Sequence, residues 1–252
     1  MASTPSEPPQ IVNLWCHPRS CSTMFECMIL GLPQFHVLHE HMAQYLIDLS
    51  KPNGSIAESL SSSHSTTPNN PTLVPTELLF PSSPSMNHTF LIRHPSKAVP
   101  SYARLCEGEA SAITGFYGFD GKEMGYKELR KMFDFVREQT GKMPLLIESE
   151  ELLKNPEAVM NMWCEEVGIK FEKEMLEWDD QKREHFDKWP GFHDDAKKSK
   201  GVGKQAANDG SSATLAKAPD ASAKPALRPE LQQAVEDCMD DYEYLKQFAR
   251  KP

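Results

Sequence analysis

The chain has 252 residues, 39% of them hydrophobic and 25% charged, which is enough for one large α/β domain and too little for two comfortable ones. With 36 acidic against 27 basic residues the net charge is -9, so no chain-wide positive field for nucleic acid or anionic lipid is expected and any anion site has to be built locally. The composition excludes a collagen, a coiled coil and a wholly disordered chain, and no apolar run approaches the roughly 18 to 20 residues of a membrane helix.

The opening residues, MASTPSEPPQ, are polar and rich in proline and read as a disordered tail over 1–10. They contain no basic stretch followed by an apolar one, so no secretory signal is expected and the default address is cytoplasmic. The six cysteines, Cys16, Cys21, Cys27, Cys106, Cys164 and Cys238, are then expected to be reduced. None of their spacings gives a CxxC pair, and no metal site is expected. The sequons at Asn53 and Asn87 are read as chance matches.

Four short apolar runs predict strands: Ile11 to Trp15, Phe35 to Leu38, Thr89 to Ile92, and Pro144 to Ile147. The first is followed by Cys16-His17-Pro18-Arg19-Ser20-Cys21-Ser22-Thr23, then by Met24, Phe25, Met28, Ile29 and Leu32 at helical spacing, closed by Gly31 and Pro33. After the third strand, Arg93-His94-Pro95-Ser96 leads into a helix carrying Ala98, Val99 and Tyr102. Asn155 and Pro156 form an N-cap and N1 pair for a helix that buries Val159, Met160, Trp163 and Val167 and ends at Gly168. A last helix starts at Pro229 and buries Leu231, Val235, Cys238, Tyr242, Leu245 and Phe248. Segments of about 51–87 and 197–224, rich in small and polar residues, read as flexible insertions in a single domain over 11–252. Strands alternating with helices predict an α/β fold, with a central parallel sheet covered by helices on both faces.

A parallel sheet puts its ligand crevice at the carboxyl ends of its strands, where the Arg19 and Arg93 loops fall. No acid occurs from Pro8 to Phe25, nor from Ser85 to Cys106, a stretch that holds Arg93, Lys97 and Arg104. Basic and hydroxyl residues at the start of a helix suit an anion. The plainer alternative makes Ser20 or Ser22 a helix cap and pairs Arg93 with a surface carboxylate. Cys16 to Thr23 lacks the two glycines and the lysine of a Walker loop, which disfavours a Mg-triphosphate site. It also lacks the Arg six residues after a Cys that a phosphatase loop carries.

These two loops together resemble sulfotransferases. His17-Pro18-Arg19-Ser20-Cys21-Ser22-Thr23 is similar to the family's 5′-phosphosulfate loop, Pro-Lys/Arg-Ser-Gly-Thr/Ser-Thr. Thr89 to Arg104 is similar to its 3′-phosphate motif, with an eight-residue step from Arg93 to Ser101. Leu145 to Ile169 resembles the family's strand, Glu-rich turn and helix, and the HPRS variant looks most like the fungal branch of sulfotransferase-like proteins. The resemblance implies a three-layer, P-loop NTPase-like sulfotransferase fold and PAPS (3′-phosphoadenosine 5′-phosphosulfate) as co-substrate. It assigns Arg19, Ser20, Cys21, Ser22 and Thr23 to the 5′-phosphosulfate and Arg93 and Ser101 to the 3′-phosphate, and it points to Lys200-Gly201 as a basic loop over the latter. Cys21 stands where the family has Gly, and Ile147-Glu148 stands where it has the Tyr-Glu pair near adenine. Trp163 is read as core rather than as an adenine platform.

The acceptor, a small molecule, needs a base within hydrogen-bond reach. His39-Glu40-His41 follows the second predicted strand, and the resemblance points to Glu40 as that base, with His41 next; the plainer alternative makes them polar strand ends. His36 and His39 would face opposite sides of a strand, which argues against a metal site there. The expected function is sulfuryl transfer from PAPS to a hydroxyl or amine of a small metabolite, with Arg19 and Glu40 or His41 catalytic. Two other readings stay open: the same scaffold catalysing elimination, hydrolysis or cyclisation in secondary metabolism, and a non-catalytic protein that binds an anion or a partner. Oligomeric state is not legible.

Overall fold

Three of the apolar runs form strands that pair in parallel, because each is apolar on both faces and needs a cover on each. In the computed structural model they are β1 (Ile11–Cys16), β2 (Met86–Ile92) and β3 (Leu145–Glu148). The structure describes residues 11–30, 80, 86–178, 186, 190–194, 196, 199–202 and 227–252. The expected strand at Phe35 to Leu38, the 1–10 tail and nearly all of both expected insertions lie outside the described residues.

Among the described residues the sheet order is β1-β2-β3, and both pairings are parallel. Cys16 stands opposite Leu91, and Ile92 opposite Glu148, so all three strands end at one level. β2 begins at Met86, three residues before the expected start at Thr89. Its first residues, Met86, Asn87 and His88, are not an apolar run. His88 is nevertheless buried, accepting the Trp15 indole N–H on Nδ1 at 2.9 Å, so a partner across the sheet turns a polar stretch into strand.

Side-chain alternation divides the interior into two cores. Phe90, Ile92 and Leu146 face one core, which is completed by α2 (Pro95–Ala103), α4 (Tyr126–Thr140) and α7 (Pro229–Lys246). Leu91, Leu145 and Ile147 face the other, which is completed by α1 (Ser22–Leu30), α5 (Ser149–Lys154) and α6 (Pro156–Val167). The result is the expected α/β arrangement, a parallel sheet between two helical layers. α3 (Gly108–Thr114) lies between α2 and α4 in sequence.

Local chemistry sets the helix ends. Pro156 opens α6 at its first turn, and Gly168, with φ +75°, ends it while the Ile169 N–H reaches back to the Cys164 carbonyl at 2.8 Å. Asn155 caps α6 through its backbone carbonyl, which accepts the Val159 N–H at 3.0 Å, while its side-chain amide donates to Glu151. Trp163 is a core residue, packed edge-on against Phe25 with ring centroids 5.2 Å apart. α7 ends at Lys246, and Phe248 packs half-buried against the first core.

Leu91→Ala empties a position on the middle strand and is expected to cost about 2–5 kcal/mol of stability. Ile113→Ala, at a side chain 61% exposed, is expected to stay within about 0.5 kcal/mol. Urea denaturation of the two variants beside the parent chain checks both values.

Candidate functional site

The site starts from a loop that bends back on itself directly after β1. Arg19 and Cys21 both adopt left-handed backbone, with φ +64° and +73°. For residues with a Cβ this costs about 1–2 kcal/mol each. The pattern is also one that lets successive backbone N–H groups converge on an anion. At Cys21 the backbone is of the kind that favours glycine, and a Cys there is strained. Burial pushes the Cys21 thiol up, against the opposing pull of Arg93 and Arg19, so it stays protonated and is a poor nucleophile.

Buried side chains tie the three strand ends together. His17, 2% exposed, accepts the Arg93 amide N–H on Nε2 at 2.9 Å and donates from Nδ1 to the Pro18 carbonyl at 2.9 Å. Those partners require the neutral Nδ1–H tautomer. Burial lowers its pKa from 6.5 to about 3. The ring packs on Tyr126, centroids 4.0 Å apart, and the Tyr126 hydroxyl donates to the Arg93 carbonyl at 2.6 Å. At the end of β3, the buried Ser149 hydroxyl donates to the Ser20 carbonyl and lies 2.8 Å from the Ile92 carbonyl.

Arg19, expected from one motif, and Arg93 and Ser101, expected from another, are brought together. The Arg93 Nη1 donates to the Arg19 carbonyl at 3.0 Å, and the Arg19 Nε donates to the Ser101 hydroxyl at 3.0 Å. The Arg19 Nη1 donates to the Phe192 carbonyl at 2.6 Å. Thr23, in the first turn of α1, bonds through its hydroxyl to the His193 Nδ1 at 2.7 Å. Ser22 is the first residue of α1. Two polar atoms of the group are buried with no hydrogen-bond partner among the described residues: the Ser20 Oγ and the Arg93 Nε. A buried donor without an acceptor is costly, and both atoms suit an anionic oxygen. Lys97 pairs with Glu150 at 3.6 Å.

Lys200 and Gly201 are held through their backbone. Gly201 bridges Glu177, and the Lys200 carbonyl accepts the Trp178 N–H at 3.3 Å, which sets this segment beside residues 176–178. Glu40 and His41 lie outside the described residues. Ile147 is buried in the second core, while Glu148 accepts the Tyr242 hydroxyl. Sequence reasoning missed the tying roles of His17, Tyr126 and Ser149, and it missed the Phe192 and His193 contacts. Only His17 carried a local signal, a polar residue directly after an apolar strand. Among the described residues, no group of three or more His, Cys, Asp or Glu is placed to hold a metal ion, and no helix is long and apolar enough to cross a membrane.

The site is thus an arginine- and hydroxyl-lined, left-handed loop at the carboxyl edge of a parallel α/β sheet. Known proteins are similar to the chain at low identity, over spans from 36% to 92% of its length. No protein-family model matches it. The branched-chain-amino-acid aminotransferase-like protein 2 of Arabidopsis thaliana is 29% identical over 92 residues, 36% of this chain, and the chain spans 14% of that protein's length. The sulfotransferase domain from the Synechococcus PCC 7002 olefin synthase covers 92% of this chain and 94% of its own at 16% identity, with a TM-score of 0.46. The sulfotransferase domain from the curacin biosynthetic pathway covers 36% of this chain and 33% of its own at 20% identity, with a TM-score of 0.26. The fold assignment rests on the chain's own sheet and helices.

The depressed His17 pKa makes a pH prediction. Below its ordinary value of 6.5 the unfolded chain takes up a proton that the folded chain refuses until about 3, so stability is full above 6.5 and falls as pH drops toward 3. The contribution is about 1.4 kcal/mol per pH unit in that window. His17→Gln is expected to flatten this part of the profile, measured by denaturant unfolding at pH 7, 6 and 5. Identical slopes in both chains would contradict it.

Proposed function

We propose that the chain is a cytoplasmic, PAPS-dependent sulfotransferase-like enzyme, acting on a hydroxyl or amine of a small metabolite through one domain spanning 11–252. The observation that carries this reading is the pair of buried atoms without partners, the Ser20 Oγ and the Arg93 Nε, beside a left-handed loop at the carboxyl edge of a parallel sheet. A bisphosphorylated nucleotide satisfies both.

In this reading Ser20, Ser22 and Thr23, with the backbone at Cys21, hold the 5′-phosphosulfate. Arg93 and Ser101 hold the 3′-phosphate, and Lys200-Gly201 is its outermost contact. PAPS, when bound, supplies an activated sulfuryl group. Arg19 keeps its charge at every working pH and stabilises the negative charge that builds on the transferring group and on the leaving oxygen. It cannot serve as the acid, because its proton is held too tightly. Glu40, or His41 after it, takes the proton of the acceptor. The remaining task is positioning, since sulfuryl transfer, like phosphoryl transfer, asks for in-line alignment more than for covalent chemistry.

One observation favours a second reading, a scaffold that has given up sulfation for elimination, hydrolysis or cyclisation. Arg19 already donates to Ser101 and to the Phe192 carbonyl, so part of its hydrogen-bonding capacity serves the protein. Activity that depends on Arg19 without any nucleotide would select that reading.

Calorimetric titration with 3′-phosphoadenosine 5′-phosphate tests the proposal. Arg93→Ala removes a charge-assisted contact of about 1.5–3 kcal/mol and is expected to weaken binding tenfold or more. Equal affinity in the parent chain and in Arg93→Ala would overturn the assignment of this loop, and transfer of label from PAPS to a hydroxylated acceptor would support the reaction.

A further inference from the structure

Arg93 is gripped from both sides of its own backbone. Its N–H donates to the His17 Nε2 at 2.9 Å, and its carbonyl accepts the Tyr126 hydroxyl at 2.6 Å. The two gripping rings also pack on each other, with centroids 4.0 Å apart. His17 comes from the loop after β1 and Tyr126 from the first turn of α4, so three separate elements meet at one residue. Both gripping residues are 2% exposed.

We propose that His17 and Tyr126 are positioning residues for ligand binding: they fix the peptide units on either side of Arg93 and thereby fix where its guanidinium delivers charge. A long cationic side chain that is free at its root loses rotamer entropy on binding, and a fixed root removes part of that cost. The same bonds set the distance between the Arg19 loop and the Arg93 loop, because the Arg93 Nη1 is in turn bonded to the Arg19 carbonyl. Pre-organisation here acts on one phosphate of the ligand, the one that Arg93 meets. The inference rests on the assignment of Arg93 to the 3′-phosphate made above.

The test compares two nucleotides that differ at that phosphate. 3′-Phosphoadenosine 5′-phosphate and 5′-AMP are titrated calorimetrically into the full chain, into Tyr126→Phe, and into Tyr102→Phe. Tyr126→Phe keeps the ring on His17 and removes only the bond to the Arg93 carbonyl. Tyr102→Phe gives up a comparable part-buried bond, the 2.6 Å contact to Glu123, without touching the Arg93 backbone, and controls for general loosening. Tyr126→Phe is expected to weaken the bisphosphate several-fold and to leave 5′-AMP unchanged, while Tyr102→Phe preserves the preference between the two. His17→Gln, whose amide can still accept the Arg93 N–H, is expected to keep more of the preference than His17→Leu. Equal losses for both nucleotides in Tyr126→Phe, or no loss at all, would overturn the positioning role. A parent chain that does not prefer the bisphosphate overturns the nucleotide reading itself, and the inference with it.

Discussion

A buried, neutral imidazole holds the functional end of this molecule together. His17 sits buried where β1 has just ended, and its two ring nitrogens have opposite duties. One donates to the Pro18 carbonyl beside it and the other accepts the Arg93 amide at the end of β2. Without that acceptor the Arg93 N–H would be a buried donor at the end of a strand, and the two loops would lose their fixed spacing. Tyr126 and Ser149 extend the same device to α4 and to the end of β3, so the three strand ends are tied to one another.

Electrostatics then decides what such an edge can hold. The chain as a whole carries a net charge of -9, yet two arginines meet at this edge, the Arg93 guanidinium bonding to the Arg19 carbonyl. Bringing like charges together in a partly buried site is unfavourable unless carbonyls or an anion share them. The Arg19, Phe192 and Ser101 acceptors meet part of that need, and the Arg93 Nε and the Ser20 Oγ are left over. Two left-handed residues in the loop add backbone strain. Strain and unsatisfied donors therefore coincide at this edge, the coincidence on which the proposed function rests.

Much of this was written in local patterns. The buried strands announced themselves as short apolar runs, Pro156 and Gly168 marked both ends of α6, and Pro229 marked the start of α7. The parallel sheet followed from the alternation of strands and helices, and with it the prediction that the Arg19 and Arg93 loops would neighbour each other. Local pattern failed where the stabilising partner is distant in sequence. Met86 to His88 are strand because Trp15 and β1 receive them, and no window around those residues contains Trp15. Phe192 and His193 reach Arg19 and Thr23 across more than 160 positions of chain, in a segment with no periodicity to flag it. The resemblance pointed to Lys200-Gly201 as a basic loop, and no local pattern showed that its backbone bonds would run to residues 176–178. The left-handed turn at Cys21 was half legible: a side chain where the resembling pattern has glycine marked the position but could not give its φ.

The most direct measurement is a crystal structure of the protein with 3′-phosphoadenosine 5′-phosphate. The account predicts one phosphate within hydrogen-bond distance of the Ser20 Oγ and the backbone of residues 19–23, and the other against the Arg93 Nε, with His17 still bonded to the Arg93 amide. A nucleotide bound elsewhere, with the Ser20 and Arg93 atoms facing no phosphate, would contradict it.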